Sequence, residues 1–273
     1  METKPLDLST AERAYREGKP FLSDFDFDRL SGTDSGSGTF FAGNMIIHQR
    51  PLLSLRHTYD FDELLRWCKW LKYQLGYDPE LAVEPKIDGV AISVVYDDHG
   101  RFLSAATKHC AADGFDVTAK IKAAGCVPEF GPEGEQITGE FVLSPLAFGL
   151  YKDTYKTARS LACAYLQNKS DELADAGFKF YPHGLGRAKG GYLERKERLC
   201  SIYGFQDFDF RTANADDLAW VFVRFIGARP YWNFDTDGMV FRVDDLEAFY
   251  SLGDNGRYPF GAIAFKWKEL KKK

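Results

Sequence analysis

The segment Glu84–Gly89, which reads Glu-Pro-Lys-Ile-Asp-Gly, places Lys86 two residues from a carboxylate on either side. If the segment is extended, its three charged side chains share one face, because side chains alternate along a strand. The apolar run Val90–Tyr96 follows, so the lysine is expected to lie against a core. A lysine in such a place loses its proton more readily and can act as a nucleophile. Taken alone, a Lys-x-Asp-Gly sequence is more typical of a surface turn.

Further charged residues stand in strand-like contexts, and each of them alone is typical of a solvated charge at a strand end. They are Lys108, Glu140, Asp237 and Lys266. Together with Lys86 they supply an amine, separate carboxylates and several cations. Phosphoryl transfer uses such a set, since cations neutralise the phosphate, carboxylates hold a ribose or Mg²⁺, and an amine can attack phosphorus. The set therefore predicts a phosphoryl-transfer site.

The order and spacing of these residues resemble those of NAD⁺-dependent DNA ligases, in their N-terminal helical segment and adenylation (nucleotidyltransferase) domain. The likeness runs from about Ala14 to Lys268. The motifs that carry it are Lys86-Ile-Asp-Gly, Thr138-Gly-Glu-Phe, Asp237-Gly-Met-Val-Phe-Arg-Val and Ala262-Ile-Ala-Phe-Lys-Trp. Any one of these motifs would be a weak signal, but all of them in the family's order are specific.

The resemblance implies that the protein adenylylates itself. Lys86 would attack the α-phosphate of NAD⁺, form lysyl-AMP and expel nicotinamide mononucleotide. The AMP would later pass to a DNA 5′-phosphate, and the nick would then be sealed. Glu140 would hold the ribose, while Asp88 or Asp237 would orient the lysine or an assisting Mg²⁺.

The cationic positions depart in part from the family pattern. Lys108 stands where the family has an arginine followed by a glycine-rich loop, and most of those glycines are absent. Arg242 replaces the usual lysine of the Asp-Gly-Val-Val motif. The resemblance implies that Lys266, Lys108 and Arg242 neutralise the pentavalent transition state and depress the pKa of Lys86.

The adenosine half of the dinucleotide is expected to contact several further residues. The Pro-Leu-Leu-Ser-Leu stretch that contains Ser54 and Leu55 resembles a family segment beside the adenosine. Glu84 is expected near the adenine, and Arg159 stands at the position of the family's Asn-Pro-Arg-Asn arginine. His183 replaces an aromatic tyrosine near the base, so that base stacking and simple packing within a strand remain equally open for it.

The stretch Tyr15–Leu30 resembles an N-terminal element of the family that grips the nicotinamide mononucleotide half, an element that ATP-dependent ligases lack. The implied contacts are Tyr15, Asp24, Phe27 and Asp28. A helical hairpin packed by its aromatic residues is the other interpretation of this stretch. The Gly/Ser/Thr-rich residues 31–44 form a connector, which predicts an N-terminal helical segment at 1–44 and an adenylation domain at 45–273.

Hydrophobic spacing predicts the elements that would position these residues. The clearest helix runs from Asp60 to Leu75, where Asp60 and Glu63 resemble a capping box. Further helices are predicted at Leu193–Tyr203, Ala215–Phe225 and Asp245–Leu252. Strands are predicted at Leu81–Asp88, Val90–Tyr96, Arg101–Lys108, Gln136–Leu143, Phe178–Leu185, Gly204–Phe210, Met239–Val243 and Ala262–Lys268. Strands joined by short turns favour an α+β fold with antiparallel sheets flanked by helices, and the resemblance implies the nucleotidyltransferase (ATP-grasp-like) version of it.

Composition limits the classes of function. The chain has 273 residues, 45% of them apolar, and a net charge of −5, which does not suit a general polyanion binder. Its five scattered cysteines include no C-x-x-C pair, so a zinc ribbon is not expected and a reducing compartment is. No signal peptide or membrane-spanning run is visible, which predicts a cytoplasmic protein.

The resemblance ends with the adenylation domain, so the chain is expected to be either part of a longer ligase or one subunit of a split, virus-like ligase. Sealing nicked DNA would then need a partner chain that carries an oligonucleotide-binding domain. Two rivals stay open. One is an ATP- or GTP-dependent relative, such as a polynucleotide ligase or capping-type nucleotidyltransferase. The other is a non-catalytic nucleotide-binding scaffold, which the eroded glycine loop favours.

Overall fold

Short strands and helices alternate irregularly along the described part of the chain. A computed structural model describes residues 44–167, 171–185, 190–207 and 211–267. The strands are β1 (Met45–Ile47), β2 (Arg56–Thr58), β3 (Leu81–Ile87), β4 (Val90–Tyr96), β5 (Phe102–Thr107), β6 (Asp113–Phe115), β7 (Gln136–Val142), β8 (Lys179–Leu185), β9 (Arg211–Ala213), β10 (Thr236–Val243) and β11 (Ala262–Lys266). The α-helices are α1 (Phe61–Leu75), α2 (Thr118–Ala124), α3 (Pro145–Phe148), α4 (Ala158–Gln167), α5 (Tyr192–Tyr203), α6 (Leu218–Ala228) and α7 (Leu246–Ser251). Short 3₁₀ helices lie at Ala174–Ala176, Ala215–Asp217 and Arg229–Tyr231.

Two sheets organise the described residues. One has the strand order β2-β11-β10-β3-β9, the other has the order β5-β4-β7-β8, and β1 pairs separately with β6. Among the described strands, only β2 and β11 pair in parallel. This arrangement confirms the predicted α+β class with antiparallel sheets and flanking helices.

Strands β3 and β4 belong to different sheets, although only Asp88 and Gly89 join them. A Cβ atom on Gly89 would lie 2.4 Å from Cγ1 of Val142 and 2.8 Å from the carbonyl oxygen of Phe141. Only glycine fits there, because the chain passes so close to β7 as it changes sheets. The Lys-Ile-Asp-Gly segment is therefore a crossover between sheets rather than a surface turn.

Each sheet is covered by helices over a core of its own. Helices α4 and α5 bury residues such as Leu161 and Leu199 against the four-stranded sheet. Helices α1 and α6 bury Leu64 and Val221 against the five-stranded sheet around Phe241. Each fully buried leucine or valine contributes about 1.5–3 kcal/mol to stability. A third, smaller cluster contains Ile87 of β3 together with Val142 of β7 and Tyr181 of β8, so the two sheets also pack against each other.

Helix α1 confirms the clearest predicted helix, but its start corrects the predicted capping box. The Asp60 carboxylate accepts a hydrogen bond from the Asp62 amide at 2.9 Å, as an N-cap does. The Glu63 carboxylate accepts instead from the Thr58 hydroxyl at 2.6 Å, and that hydroxyl accepts from the Asp60 amide at 3.1 Å. In a capping box the Glu63 carboxylate would accept directly from the Asp60 amide. Here the Thr58 hydroxyl lies between these two groups and bonds to both. Gly76 ends the helix at φ 78°.

The predicted strand Gly204–Phe210 is wrong for the described residues 204–207, which form no strand. Gly204 adopts φ 75° and ends α5, and Phe205 enters the core beside Phe180 at a ring-centroid distance of 6.1 Å. The apolar pattern that predicted a strand therefore comes from the burial of Phe205 in the core, not from strand pairing. The strand in this region is β9, which pairs with β3.

Other differences concern helices. The helix α4 was not predicted, although its buried residues Ala158, Leu161, Ala162 and Tyr165 have helical spacing. The helix predicted at Ala215–Phe225 begins as a 3₁₀ turn and continues as α6. The helices predicted near α5 and α7 and the remaining strands are confirmed, with ends displaced by a few residues. Within the described ranges, no helix has the length and apolar character needed to cross a membrane.

Candidate active site

A cleft of about 330 Å³ opens between the two sheets. Every predicted site residue that falls in the described ranges lines it: Ser54, Leu55, Glu84, Lys86, Asp88, Lys108, Glu140, Arg159, His183, Asp237, Arg242 and Lys266. The remaining predictions, Tyr15, Asp24, Phe27 and Asp28, lie outside the described residues. Residues that are distant in sequence therefore meet on the facing surfaces of the two sheets.

The floor of the cleft is a row across the five-stranded sheet. Gly238 in β10 pairs with Lys86 in β3 on one side and with Lys266 in β11 on the other. The register of β10 against β3 shifts between Thr236 and Gly238, which is a β-bulge. Such a bulge re-aims a side chain, and here Asp237 reaches the same face as the two lysines. The Thr236 hydroxyl supports the bulge, since it lies 2.7 Å from the Lys86 carbonyl oxygen and accepts from the Gly238 amide.

Lys86 and Lys266 share the Asp237 carboxylate. The Lys86 Nζ lies 3.0 Å from Oδ1 and 3.2 Å from Oδ2 of Asp237, and the Lys266 Nζ lies 3.4 Å from Oδ2. Burial would raise the pKa of Asp237, but Lys86 and Lys266 stabilise its charged form and hold the pKa below the usual value. Asp237 is therefore a carboxylate between two ammonium groups.

The electrostatic environment of Lys86 corrects the prediction of a depressed pKa. Burial lowers the pKa of Lys86 and so does the Lys266 charge, but Asp237, Glu140 and Asp88 raise it by more. The net pKa is raised above that of a free lysine, so the ammonium is the resting form. The predicted direction considers only the cations, which lower the pKa of Lys86. The bulge brings the Asp237 carboxylate within hydrogen-bond distance of Lys86 Nζ, and this carboxylate raises the pKa.

The facing, four-stranded sheet contributes a second group of side chains. Glu140 projects from β7, and its Oε1 lies 3.5 Å from Nε2 of His183. The register of β7 and β8 shifts opposite His183, and the imidazole is one-third exposed rather than packed in a core. At the start of α4, Arg159 donates from its guanidinium to Oδ1 of Asp88 at 3.2 Å.

Two more predicted cations also line the cleft. The Lys108 ammonium donates to the Ser54 hydroxyl at 2.7 Å. The Arg242 guanidinium lies 4.5 Å from the Tyr192 ring centroid and 5.2 Å from that of Phe249, within cation–π range of both rings. Arg242 is thus held by two aromatic rings at the cleft wall.

Residues 41–270 match the family described as "NAD-dependent DNA ligase adenylation domain". The chain belongs to this family. It is 29% identical over 289 residues to a DNA ligase of Chloroflexus aggregans, in an alignment that covers 93% of this chain and 41% of that protein. It is 30% identical over 294 residues to a DNA ligase of Chloroflexus aurantiacus, covering 95% of this chain and 40% of that protein.

These matches confirm the predicted resemblance to NAD⁺-dependent ligases. The adenylation domain spans about two-fifths of the length of the curated relatives that it matches. An archaeal ATP-dependent RNA ligase structure aligns with 96% of this chain and 64% of that chain, at 14% identity and a TM-score of 0.45. A likeness that distant says nothing about the nucleotide donor of this adenylation domain.

The cleft of the adenylation domain carries an excess of positive charge although the whole chain is acidic. Its lining includes six basic side chains against four carboxylates, namely Arg50, Lys86, Lys108, Arg159, Arg242 and Lys266 against Glu84, Asp88, Glu140 and Asp237. A local basic lining in a protein of net charge −5 favours a small anionic ligand over a long polyanion. The diphosphate of a dinucleotide is such a ligand.

The loop after Lys108 folds back on itself through backbone hydrogen bonds. The amides of His109 and Cys110 both donate to the Asp113 carbonyl oxygen at 3.1 Å. Gly114 lies where a Cβ would be 1.5 Å from the Thr107 carbonyl oxygen. The loop is thus closed by its own hydrogen bonds, and position 114 admits only glycine.

Two residues beside the cleft were not predicted. Lys196 and Tyr192, both in α5, are fully buried and contact the Glu84 carboxylate. The signal for Lys196 was present in the sequence, because it stands between Leu193 and Leu199 at helical spacing on an otherwise apolar face. A lysine at such a position requires a buried partner.

Proposed function

We propose that this adenylation domain transfers AMP from NAD⁺ to its own Lys86. The observation that carries the proposal is the placement of the Lys86 amine at the floor of a cation-lined cleft, beside Asp237 and Lys266. The amine nitrogen attacks the α-phosphorus, the bond from that phosphorus to the bridging oxygen breaks, and nicotinamide mononucleotide leaves with the bond electrons. The ammonium must first lose a proton to water, and the Asp237 carboxylate, within hydrogen-bond distance of Nζ, orients the amine.

The charged residues of the cleft have distinct proposed roles. Lys266, Lys108 and Arg242 neutralise the negative charge that develops on the phosphate oxygens in the transition state. Glu140, on the opposite sheet, holds the ribose hydroxyls. These roles are supported by the positions of the side chains, which line the cleft on both sheets around Lys86.

Adenine is proposed to bind against Leu55, Glu84 and His183, with Ser54 and Arg159 fixing the neighbouring segments through Lys108 and Asp88. We further propose Mg²⁺ as an assisting ion. Carboxylate oxygens suit it, and Asp88 or Asp237 would hold it together with phosphate oxygens, where it would offset phosphate charge.

NAD⁺ is the proposed donor, and family membership supports it over ATP. Tyr15, Asp24, Phe27 and Asp28 are proposed to contact the nicotinamide mononucleotide half. In the later steps, AMP passes to the 5′-phosphate of nicked DNA, and a DNA-clamping segment or partner chain completes the sealing. The five free cysteines are consistent with action in the cytoplasm.

Intact-mass spectrometry tests the proposal directly. The purified protein is incubated with Mg²⁺ and NAD⁺ or, separately, ATP. We expect a mass gain of one adenylyl group from NAD⁺ alone, mapped to Lys86 by peptide analysis and reversed by added nicotinamide mononucleotide. Lys86→Arg keeps the positive charge and should stay unmodified, because a guanidinium is a poor nucleophile.

The competing outcomes identify the rivals. A gain from ATP alone would assign the protein to the ATP-dependent class. The absence of any adduct in the wild-type protein, with intact folding by circular dichroism, would favour the non-catalytic scaffold.

A further inference from the structure

Helix α5 contributes a completely buried ion pair to the wall of the cleft. The Lys196 Nζ lies 2.6 Å from Oε2 of Glu84, and the side chains are 0% and 2% exposed. Burying two charges is costly, so a buried pair does little for stability compared with apolar residues of the same volume. The positions on either side of Lys196 along the buried face, Leu193 and Leu199, are apolar. Packing alone therefore does not account for a lysine at position 196.

The second oxygen of Glu84 is also fixed. The Tyr192 hydroxyl lies 2.8 Å from Oε1 of Glu84 and 2.9 Å from the carbonyl oxygen of His183. Burial and the Glu84 charge raise the pKa of Tyr192 well above its usual value, so the hydroxyl keeps its proton and can donate it. The Tyr192 ring also lies beneath the Arg242 guanidinium. Glu84 is thus held at both oxygens by one helix while it lines the cleft.

A carboxylate fixed in this way can only accept hydrogen bonds. Its remaining lone pairs suit the exocyclic amine of adenine, which donates. They repel the carbonyl oxygen that hypoxanthine carries at the same ring position, which accepts. A site whose polar groups are fixed to match one partner rejects the analogue that leaves them unpaired.

We propose that Lys196 and Tyr192 are positioning residues that orient the Glu84 carboxylate toward the exocyclic amine of adenine, so that the cleft selects adenine over hypoxanthine dinucleotides. The inference rests on the proposed function, because it requires the adenine of NAD⁺ to lie beside Glu84. It goes beyond that function because it makes helix α5, which contributes no reacting group, responsible for the selectivity for adenine. Burial lowers the pKa of Lys196, although the neighbouring Glu84 charge opposes this effect.

The test compares two dinucleotides as nucleotidyl donors: NAD⁺, which would transfer AMP to Lys86, and nicotinamide hypoxanthine dinucleotide, which would transfer IMP. Lys196→Met removes the charge at similar length, and Tyr192→Phe removes only the hydroxyl while keeping the ring beneath Arg242. Because each protein molecule is loaded once, the measured quantity is the apparent second-order rate constant for loading of Lys86. We expect the ratio of this rate constant for NAD⁺ to that for the hypoxanthine analogue to fall roughly tenfold or more in each variant. The change should lie mainly in the donor concentration that gives the half-maximal loading rate, since neither residue touches the reacting atoms.

Lys120→Met is the matched control. Lys120 is also a nearly buried lysine, 12% exposed, and it pairs with Asp171 at 2.7 Å, but it does not line the cleft. Its loss should leave the donor ratio unchanged. If Lys196→Met does not fold, Tyr192→Phe decides the question alone.

An unchanged donor ratio in a folded Tyr192→Phe or Lys196→Met protein would overturn the inference and leave the proposed function intact. Failure of the wild-type protein to take AMP from NAD⁺ would instead overturn the proposed function and the inference with it.

Discussion

At the scale of single residues, Lys86 is a nucleophile that rests in its charged form. The Asp237 carboxylate stabilises the ammonium, and Lys266 opposes this effect from a strand of the same sheet. The two neighbours therefore tune the amine in opposite directions. An ammonium does not attack phosphorus, so the balance between them decides how much free amine is present at a given pH.

This balance predicts opposite pH shifts in two variants. Asp237→Asn removes the charge that raises the pKa of Lys86, so the amine should react at lower pH than in the wild type. Lys266→Met removes a charge that lowers the pKa of Lys86, so reaction should require higher pH. The measurement is the pH dependence of Lys86 modification by an amine-reactive reagent, read by peptide mass spectrometry, which does not need catalysis.

Lys69, which is exposed on α1, serves as the internal reference in the same digests. Its labelling profile should be identical in the three proteins. Parallel shifts of Lys86 in both variants, or none, would contradict the electrostatic account.

The residue scale also shows where sequence reasoning succeeds and fails. The motifs identify Lys86, Glu140, Asp237 and Lys266, and all of them line one cleft. The sign of the Lys86 pKa shift could not be predicted, because it depends on a bulge that brings Asp237 to 3.0 Å. Strand alternation alone does not reveal such a register shift.

At the scale of secondary-structure elements, the cleft floor depends on how closely β10 and β11 approach. A Cβ on Gly238 would lie 2.2 Å from the carbonyl oxygen of Phe265 and 3.0 Å from Cα of Lys266. Side chains at this position would push the strands apart and displace the lysines that pair with Gly238. The glycine of the Asp-Gly motif is therefore a requirement of strand packing, as Gly89 is at the crossover between sheets.

Gly238→Ala should lower the free energy of unfolding by about 2–4 kcal/mol, since the backbone must move to admit the methyl group. Adenylylation should fall with it. Gly227→Ala is the control, because Gly227 lies in α6, where a Cβ atom would have no neighbouring atom within 4 Å. Alanine there should stabilise the protein by about 0.5–1 kcal/mol through its helix propensity.

Urea denaturation of the two variants provides the measurement. If both substitutions changed the free energy of unfolding equally and in the same direction, the close approach of β10 and β11 would not be the reason that position 238 needs glycine.

Elements were predicted well where apolar residues are large and periodic, as in α1 and β4, and poorly where they are small. Helix α4 went unrecognised because much of its buried face is alanine and cysteine, which carry a weak hydrophobic signal. The opposite error placed a strand at Gly204–Phe210, where Phe205 is buried by tertiary contacts alone. Local patterns cannot distinguish a buried loop residue from a strand residue.

At the scale of the whole molecule, two sheets with separate cores face each other across the cleft. A nucleotide in the cleft would contact Lys86 on one sheet and Glu140 on the other, and so would bridge the two halves. A ligand that binds only the folded state stabilises it according to its concentration. The proposed site therefore has a thermodynamic consequence that does not depend on turnover.

NAD⁺ at about 100 times its dissociation constant should stabilise the folded protein by about 2.7 kcal/mol. Lys86→Ala should keep most of this effect, because it cannot form the adduct but retains the other contacts in the cleft. Thermal unfolding monitored by circular dichroism checks the prediction, with nicotinamide mononucleotide alone as the control. An unfolding midpoint that does not change with NAD⁺ in either protein would argue against binding between the sheets.

The crossover at Asp88 and Gly89 has a consequence for the fate of a covalent adduct. Lys86 stands near the end of β3, just before the backbone leaves the five-stranded sheet for the other one. An adenylate bonded to Lys86 would be covalently attached to the five-stranded sheet. It would contact the four-stranded sheet only through non-covalent interactions. For an acceptor to reach its phosphate, the four-stranded sheet must therefore leave room, because the phosphorus–nitrogen bond fixes the adenylate to the five-stranded sheet.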